Sequence, residues 1–221
     1  MPERTPEQTQ AILLWRNENR QSLRQNYQHQ YIACGTSEVL ATGKSYDMVE
    51  AAAIATGKPF IIDWIPKITA EVSFYWVKFY GLKKAAWEPL YPVLLNVGEA
   101  APQEYRLKHR EVLMTVDSGV EVSLISKVLG EELGFSVSYG ESIETGMGVG
   151  GEIEYVNRTI DMSIGGHSFK APVAWVIDET DVPLLLGREV VFDLFDIKFV
   201  QAEQRIEFDW REPDSTQDAL T

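Results

Sequence analysis

The order of apolar and polar positions predicts a helix at the beginning of the chain. Thr5, Pro6 and Gln8 supply a capping hydroxyl, a proline suited to the first helical turn and the second half of a capping box. Apolar side chains then recur at three- and four-residue steps as far as Tyr27. We therefore expect an amphipathic helix from Pro6 to about Tyr27.

Short apolar runs and turn residues continue this N-terminal part. The runs 31–34 and 38–41 flank a Gly-Thr-Ser turn and predict two strands joined as a hairpin. Ser45 begins an alanine-rich helical segment that ends at Gly57, and a third strand begins at Phe60. The predicted order of this module is α-β-β-α-β.

Beyond Pro66 the pattern changes to short apolar runs separated by glycine, which is typical of β-structure. Aromatic and β-branched residues fill 72–80, and another apolar run covers 92–95. Helical spacing returns only briefly, near 124–133 and 188–194. This part of the chain is therefore expected to be mostly β.

The acidic charge belongs to this second part. Residues 1–86 carry 10 basic and 8 acidic side chains, a net charge of +2, whereas residues 87–221 carry 10 and 25, a net charge of −15. An acidic surface repels phosphate, so we expect no nucleic-acid partner and no attachment to anionic membranes. The single cysteine, Cys34, excludes an internal disulfide. Because the first residues are polar and lack a signal core, a cytoplasmic location is expected.

The sharpest chemical feature is an Asp-Ser-Gly triplet at the end of an apolar run. Residues 112–116 predict a buried strand, and Asp117 follows it directly. A carboxylate there is unfavourable unless it is hydrogen-bonded or functional, although the triplet alone is also good β-turn chemistry. Two further features follow along the chain, a glycine-rich stretch at 146–151 and an apolar run that ends in Gly187 and Arg188.

In this order, the features resemble the retroviral-type, single-lobe aspartic proteases (the retropepsin-like family) over roughly residues 90–210. The resemblance implies a closed-barrel-like β domain, so the expected fold class is α+β overall, with a small N-terminal α/β module ahead of a mostly β domain. Asp117 matches the catalytic aspartate, Ser118 the hydroxyl residue that locks two active-site loops together, and Gly119 the family's glycine. Val120 stands where the family usually has alanine, and the larger valine side chain would narrow the substrate cleft.

The resemblance also implies supporting and flap residues. Glu121 stands where the family often has aspartate, and Arg188 follows the family's glycine, so a partly buried ion pair is expected between them. The strand that passes behind the catalytic loop is matched by Leu185, Leu186 and Gly187. The flap, whose backbone mobility admits a polypeptide, is matched by Gly148, Val149, Gly150 and Gly151.

Aspartic proteolysis needs two carboxylates that share one proton around a water molecule. The chain contains one Asp-Ser/Thr-Gly triplet, which supplies one of these carboxylates. The second carboxylate must therefore be the Asp117 of another copy of the chain. We therefore expect an aspartic endopeptidase that acts on polypeptides as a C2 homodimer. Because the nucleophile is water, no cofactor and no metal is expected. The alternative is a catalytically inactive binding or dimerisation module with the same fold.

Other candidate sites have weaker support. The glycines at 146, 148 and 151 match a dinucleotide-binding spacing, but strands are expected on both sides, so a flap hairpin is favoured. The three histidines, His29, His109 and His167, share no metal-ligand spacing. Cys34 is expected in a strand core, and the aromatic residues of 74–80 in the core or a dimer surface.

The sequence divides into four expected parts. These are a module of unknown role (1–66), a connector or first strand (67–89), the protease-like domain (90–210) and a polar tail (211–221). The first module carries no catalytic signature, which leaves an adaptor, a substrate-recruiting unit and a gate on the protease as its possible roles.

Overall fold

The computed structural model describes residues 4–67, 87–96, 109–148, 151–179 and 181–211. The helices are α1 (Pro6–Asn26), α2 (Tyr46–Ala55), α3 (Lys127–Glu132) and α4 (Val191–Leu194). The strands are β1 (Gln30–Cys34), β2 (Val39–Gly43), β3 (Ile61–Ile65), β4 (Leu90–Asn96), β5 (Arg110–Val116), β6 (Ser123–Ile125), β7 (Glu144–Gly148), β8 (Gly151–Ile164), β9 (His167–Val176), β10 (Leu185–Leu186), β11 (Phe195–Val200) and β12 (Arg205–Trp210). The predicted strand over 72–80, with its aromatic residues, lies outside the described residues, as does the tail from 212 onwards.

The start of α1 follows the capping signal in the sequence. Thr5 Oγ1 accepts a hydrogen bond from the Gln8 amide at 3.2 Å, and Gln8 Oε1 accepts one from the Thr5 amide at 3.0 Å. These two bonds satisfy amides that have no partner inside the helix. The predicted capping box is therefore confirmed, and α1 buries Ile12 and Leu23 against the sheet.

Six strands of the second part form a closed barrel. The hydrogen-bonded neighbours run in the order β4, β5, β10, β6, β9 and β8, and β8 pairs with β4 to close the ring. The long β8–β9 ladder turns at Gly165 and Gly166, whose φ angles of 58° and 86° need glycine in a tight hairpin. The predicted fold class, α+β with a closed-barrel-like β domain, is confirmed.

The N-terminal strands extend the same sheet. β2, β1 and β3 lie side by side, and β3 joins the barrel strand β5 in parallel at the pair Ile62↔Val112. One hydrophobic cluster contains Tyr31, Phe60 and Trp64 of the first module together with Met114 and Val116 of the barrel, as well as many others. The division at residue 66 stays a prediction, but the two parts on either side share one sheet and one core.

β5 is the strand on which the two parts meet. One edge of β5 pairs with β4 from Arg110 to Thr115, while the other edge pairs first with β3 and then with β10. The contact with β10 falls at the last two residues of β5, Thr115 and Val116. Asp117 follows directly, so the triplet lies at the end of β5, beside β10.

Candidate active site

Main-chain hydrogen bonds hold the entry to Asp117 from both sides. The Thr115 and Asp117 amides donate to the carbonyls of Leu184 and Leu186, at 2.9 and 3.0 Å. Between them, the Val116 amide donates to the carbonyl of Pro89 at 2.8 Å. The direction in which β5 delivers the Asp117 side chain is therefore set by β10 and by the segment before β4.

The triplet itself forms a turn that presents the carboxylate. The Gly119 amide donates to Asp117 Oδ1 at 2.8 Å, and the Val120 amide donates to the Asp117 carbonyl at 3.3 Å. Asp117 is half-buried, whereas Ser118 and Gly119 are exposed. A Cβ on residue 119 would lie 3.2 Å from Asp117 Oδ1, so glycine leaves room for the carboxylate. The triplet therefore forms a turn, as its composition favours, and this turn also presents the carboxylate that the family resemblance makes catalytic.

Gly187 lies where two backbone segments cross at close range. A Cβ there would lie 2.6 Å from the Glu121 carbonyl oxygen and 2.8 Å from the Ser123 nitrogen, closer than real Cβ contacts occur. The Gly187 amide donates to the buried Ser123 Oγ at 3.0 Å. This crossing places Leu185 and Leu186 next to the end of β5 and the turn that holds Asp117.

Ser123 is a site residue that the sequence analysis missed. It is 1% exposed, and its hydroxyl is the acceptor that fixes Gly187 behind the loop. The signal was a serine inside the apolar run that forms β6. A hydroxyl in such a run needs a hydrogen-bond partner when buried, but its partner lies too far along the chain to be identified from spacing.

The expected ion pair between Glu121 and Arg188 is wrong. Both side chains are exposed, and no ion pair joins them in a part of the chain that the structure describes. The two segments are joined by their main chains instead, because the Arg188 amide donates to the Val120 carbonyl at 3.0 Å and the Glu189 amide to the Glu121 carbonyl at 2.8 Å. Backbone pairing braces the loop without a buried charge.

The glycine-rich stretch lies in the hairpin of β7 and β8. Gly148 pairs with Gly151 across the two strands, and Val149 and Gly150 lie outside the described residues. Lower in the hairpin, Glu144 accepts hydrogen bonds from Tyr155 Oη at 3.0 Å and from Asn157 Nδ2 at 2.8 Å. Strands flank the glycines on both sides, so the dinucleotide interpretation fails for lack of a helix.

Among the described residues, the remaining candidates do not assemble into a second site. His29 Nδ1 lies 2.9 Å from Asp181 Oδ2, while His109 and His167 are exposed elsewhere. In the described ranges, no cluster of three or more His, Cys, Asp or Glu residues could hold a metal ion. Cys34 is fully buried in β1, and burial raises the pKa of its thiol far above the usual value, which fits a strand-core residue. None of the described helices is both long and apolar enough to span a membrane.

Comparison with known proteins addresses the segment that holds this site. Residues 104–190 match the model of a family described as aspartyl protease. Among solved structures, the chain is similar to an EIAV protease complexed with the inhibitor HBY-793, at 20% sequence identity and a TM-score of 0.33, over 52% of this chain and 93% of that chain. No curated protein matches the chain.

The matched segment runs from just before β5 to just past β10, so it includes Asp117, the flap hairpin and the crossing at Gly187. Over this segment the chain is similar to the family described as aspartyl protease. The N-terminal module lies outside the match.

Proposed function

We propose that the protein is an aspartic endopeptidase in which water, activated between the Asp117 carboxylates of two copies, cleaves peptide bonds. The observation that carries the proposal is the state of the Asp117 carboxylate. It is half-buried at the end of a barrel strand, one oxygen accepts the Gly119 amide at 2.8 Å, and among the described residues no cation pairs with it. A carboxylate presented in this way is available to a second carboxylate and a water molecule.

The chemistry follows from two carboxyl groups that share one proton. Like charges at short range prevent both from ionising, so one is a carboxylate and the other a carboxylic acid. The carboxylate takes a proton from water as the oxygen attacks the scissile carbonyl, and the acid donates a hydrogen bond to the carbonyl oxygen. The proton then passes to the leaving nitrogen as the C–N bond breaks. No cofactor is required for these steps.

Homodimerisation is part of the proposal because the sequence contains one Asp-Ser/Thr-Gly triplet, so a single chain supplies one of the two carboxylates that the reaction needs. Ser118 and Gly119 are exposed in the single chain, which leaves this turn open to the same turn of a second copy. A two-fold axis through the turns would place the two carboxylates together. The buried, unpaired Cys34 is consistent with the cytoplasmic location that we propose.

The substrate proposed is an unfolded or extended polypeptide. The hairpin of β7 and β8 carries glycines at Gly146, Gly148 and Gly151, and a Cβ on residue 146 would lie 3.1 Å from the Tyr155 ring. Glycine at position 146 therefore leaves room for the Tyr155 ring to pack against the backbone of the neighbouring strand. Such a hairpin would cover a bound peptide backbone in the dimer.

One observation favours the alternative of an inactive binding or dimerisation module. Val120 stands, half-buried, directly after the triplet, where the resemblance expects alanine. The added bulk would narrow the cleft next to the carboxylate, which would weaken cleavage without affecting the fold. The two candidates predict opposite results for the purified protein on an unfolded substrate.

The deciding experiment incubates the purified protein with an unfolded polypeptide between pH 3 and 8 and follows new termini by mass spectrometry. The proposal predicts cleavage that Asp117→Asn abolishes, while Asp193→Asn, an exposed acid in α4, leaves it unchanged. The binding-module alternative predicts no cleavage by the unaltered protein. Cleavage that survives Asp117→Asn would assign the activity to another residue or to a contaminant.

A further inference from the structure

A buried ion cluster lies beneath α1. Arg16 Nε donates to Asp63 Oδ2 at 2.8 Å, and the two side chains are 5% and 4% exposed. The same guanidinium also pairs through Nη1 with Glu88, whose other carboxylate oxygen pairs with Arg24 at the surface. The cluster therefore joins α1, β3 and the segment that precedes β4.

The main chain of Glu88 is also held by α1. The Glu88 amide donates to Asn17 Oδ1 at 3.0 Å, and Asn17 Nδ2 donates to the Glu88 carbonyl at 3.3 Å. Asn17 is 6% exposed, so these bonds are shielded from competing water. Side chain and backbone of Glu88 are thus fixed by two consecutive residues of α1, Arg16 and Asn17.

The residue after Glu88 contacts the strand that leads to the candidate catalytic carboxylate. The Pro89 carbonyl accepts the Val116 amide at 2.8 Å, one residue before Asp117. A continuous chain of contacts therefore runs from Arg16 and Asn17 through Glu88 and Pro89 to the end of β5. On the opposite edge of β5, the barrel strand β10 holds the Asp117 amide.

Resting on the proposed function, we propose that α1 is part of the catalytic scaffold and that Arg16, Asn17 and Glu88 are positioning residues for Asp117. They act through the Pro89 carbonyl, whose hydrogen bond from the Val116 amide fixes the position and orientation of the last residues of β5. The N-terminal module is then a fixed component of the active protease and not a segment to be removed for activation. Loss of the contact would let the turn of Asp117 fluctuate, and small displacements of a reacting group lower the rate steeply.

The structure offers a matched control at the other end of β5. Glu111 pairs with Arg4, which also joins the N-terminal module to the barrel, and their side chains are 18% and 9% exposed. Glu111 lies six residues before Asp117, roughly 20 Å along an extended strand. Glu88→Gln and Glu111→Gln therefore each remove the charge of a glutamate, equally exposed at 18%, that pairs with arginine of the N-terminal module, one near to the Asp117 carboxylate and one far from it.

The experiment compares these two variants and Asn17→Ala with the unaltered full chain. Hydrogen exchange of individual amides, read by NMR, and kcat and KM on an unfolded polypeptide are measured after melting curves. We expect Glu88→Gln to accelerate exchange of the Val116 and Asp117 amides about tenfold and to lower kcat about tenfold, with KM within about twofold. Asn17→Ala, which keeps the ion cluster, should do the same to a smaller extent, and Glu111→Gln should change neither.

The outcomes separate this inference from the proposed function. If the unaltered protein does not cleave peptides, the proposed function fails, and the exchange rates alone decide the inference. Faster exchange confined to Val116 and Asp117 in Glu88→Gln supports the positioning role. Equal exchange at these amides in Glu88→Gln and Glu111→Gln would overturn it, since the cluster would then serve stability only. Should Glu88→Gln fail to fold, the same comparison between Asn17→Ala and Glu111→Gln decides.

Discussion

Asp63 and Asp117 both interrupt apolar strand sequences, yet their surroundings differ in kind. Asp63 is 3% exposed in the middle of β3, and its carboxylate pairs with the buried Arg16. Asp117 is half-buried at the end of β5 and accepts only a backbone amide among the described residues. A carboxylate that serves the fold is matched by a buried cation, whereas one that is available for chemistry keeps a free oxygen near the surface.

The ion cluster around Asp63 shows how one cation divides its effect between two acids. Burial raises the pKa of Asp63, and the opposing effect of Arg16 does not cancel it. Burial also raises the pKa of Glu88, but Arg16 and Arg24 outweigh burial there and leave it below its usual value. Glu88 is therefore the acid that remains firmly ionised in this cluster, which agrees with its proposed positioning role.

The largest expected effect is that replacing Asp117 lowers the cleavage rate but not the stability, whereas replacing Asp63 lowers the stability. Asp117→Asn should reduce cleavage at least about a thousandfold, equivalent to about 4 kcal/mol of barrier, and change the free energy of unfolding by less than about 1 kcal/mol. Asp63→Asn should destabilise the fold by about 3 kcal/mol or more, because it leaves Arg16 with one partner fewer in a buried site. Urea denaturation and initial cleavage rates measure the two quantities.

Either of two results would contradict this separation of a catalytic aspartate from a structural one. A large loss of stability in Asp117→Asn would indicate that its carboxylate serves the fold as Asp63 does. Normal stability in Asp63→Asn would show that the cluster contributes little net energy.

The next largest effect concerns the crossing at Gly187, behind the turn that holds Asp117. Gly187→Ala places a Cβ 2.6 Å from the Glu121 carbonyl, so the backbone must shift. We expect a loss of about 1–3 kcal/mol of stability and a lower cleavage rate per folded molecule. Gly57→Ala is the control, because residue 57 has a φ of +67° but open space around it, so only local strain is added. Equal cleavage rates for the two folded variants would contradict the importance of the crossing.

A smaller effect is expected for the pH dependence of stability. The pKa of Glu88 is depressed in the folded protein, so its ionised form stabilises the fold above the unfolded value of about 4.5, and this contribution disappears as the pH falls through the folded value. The stability difference between the unaltered protein and Glu88→Gln should be largest at pH 7 and shrink below pH ~4.5. Urea denaturation at several pH values measures it. A difference that does not change with pH would mean that the glutamate charge is not what matters.

The smallest effect is expected from salt. Residues 87–221 carry a net charge of −15 from 10 basic and 25 acidic side chains, so two copies repel each other at neutral pH. Raising ionic strength from about 0.05 to about 0.5 M should tighten dimerisation several-fold, because charges beyond the Debye length are screened. Falling pH should act in the same direction, because protonation of surface carboxylates lowers the negative charge of both copies. Analytical ultracentrifugation that shows no response to salt or pH would mean that the charge only solvates the surface.

The sequence predicted those features that depend on local spacing or on one ordered set of motifs. The capping box at Thr5, the hairpin of β1 and β2, and the closed barrel were all foreseeable, since each depends on residues close in the chain or on the family resemblance. The triplet at Asp117 stood out because a carboxylate ends an apolar run. Asp63 carries the same signal inside Ile61-Ile62-Asp63-Trp64-Ile65 and was not singled out.

What the sequence did not predict depends on contacts between distant residues. Arg16 and Glu88 are 72 positions apart, and nothing in either neighbourhood indicates the other. The expected pair of Glu121 and Arg188 had the right segments but the wrong groups, since their amides and carbonyls bond while the side chains point to solvent. Side-chain partners across a sheet follow from register and packing, which composition and spacing do not encode.

The central claim, a site shared by two Asp117 residues, is tested most directly by mixing. A fixed amount of unaltered protein is equilibrated with increasing Asp117→Asn variant, and cleavage of an unfolded polypeptide is followed. Random pairing with a tenfold excess of the variant would leave about a tenth of the unaltered chains in active homodimers, so activity should fall to about a tenth. Activity that stays constant over the whole titration would show that each chain works alone, and would contradict the account.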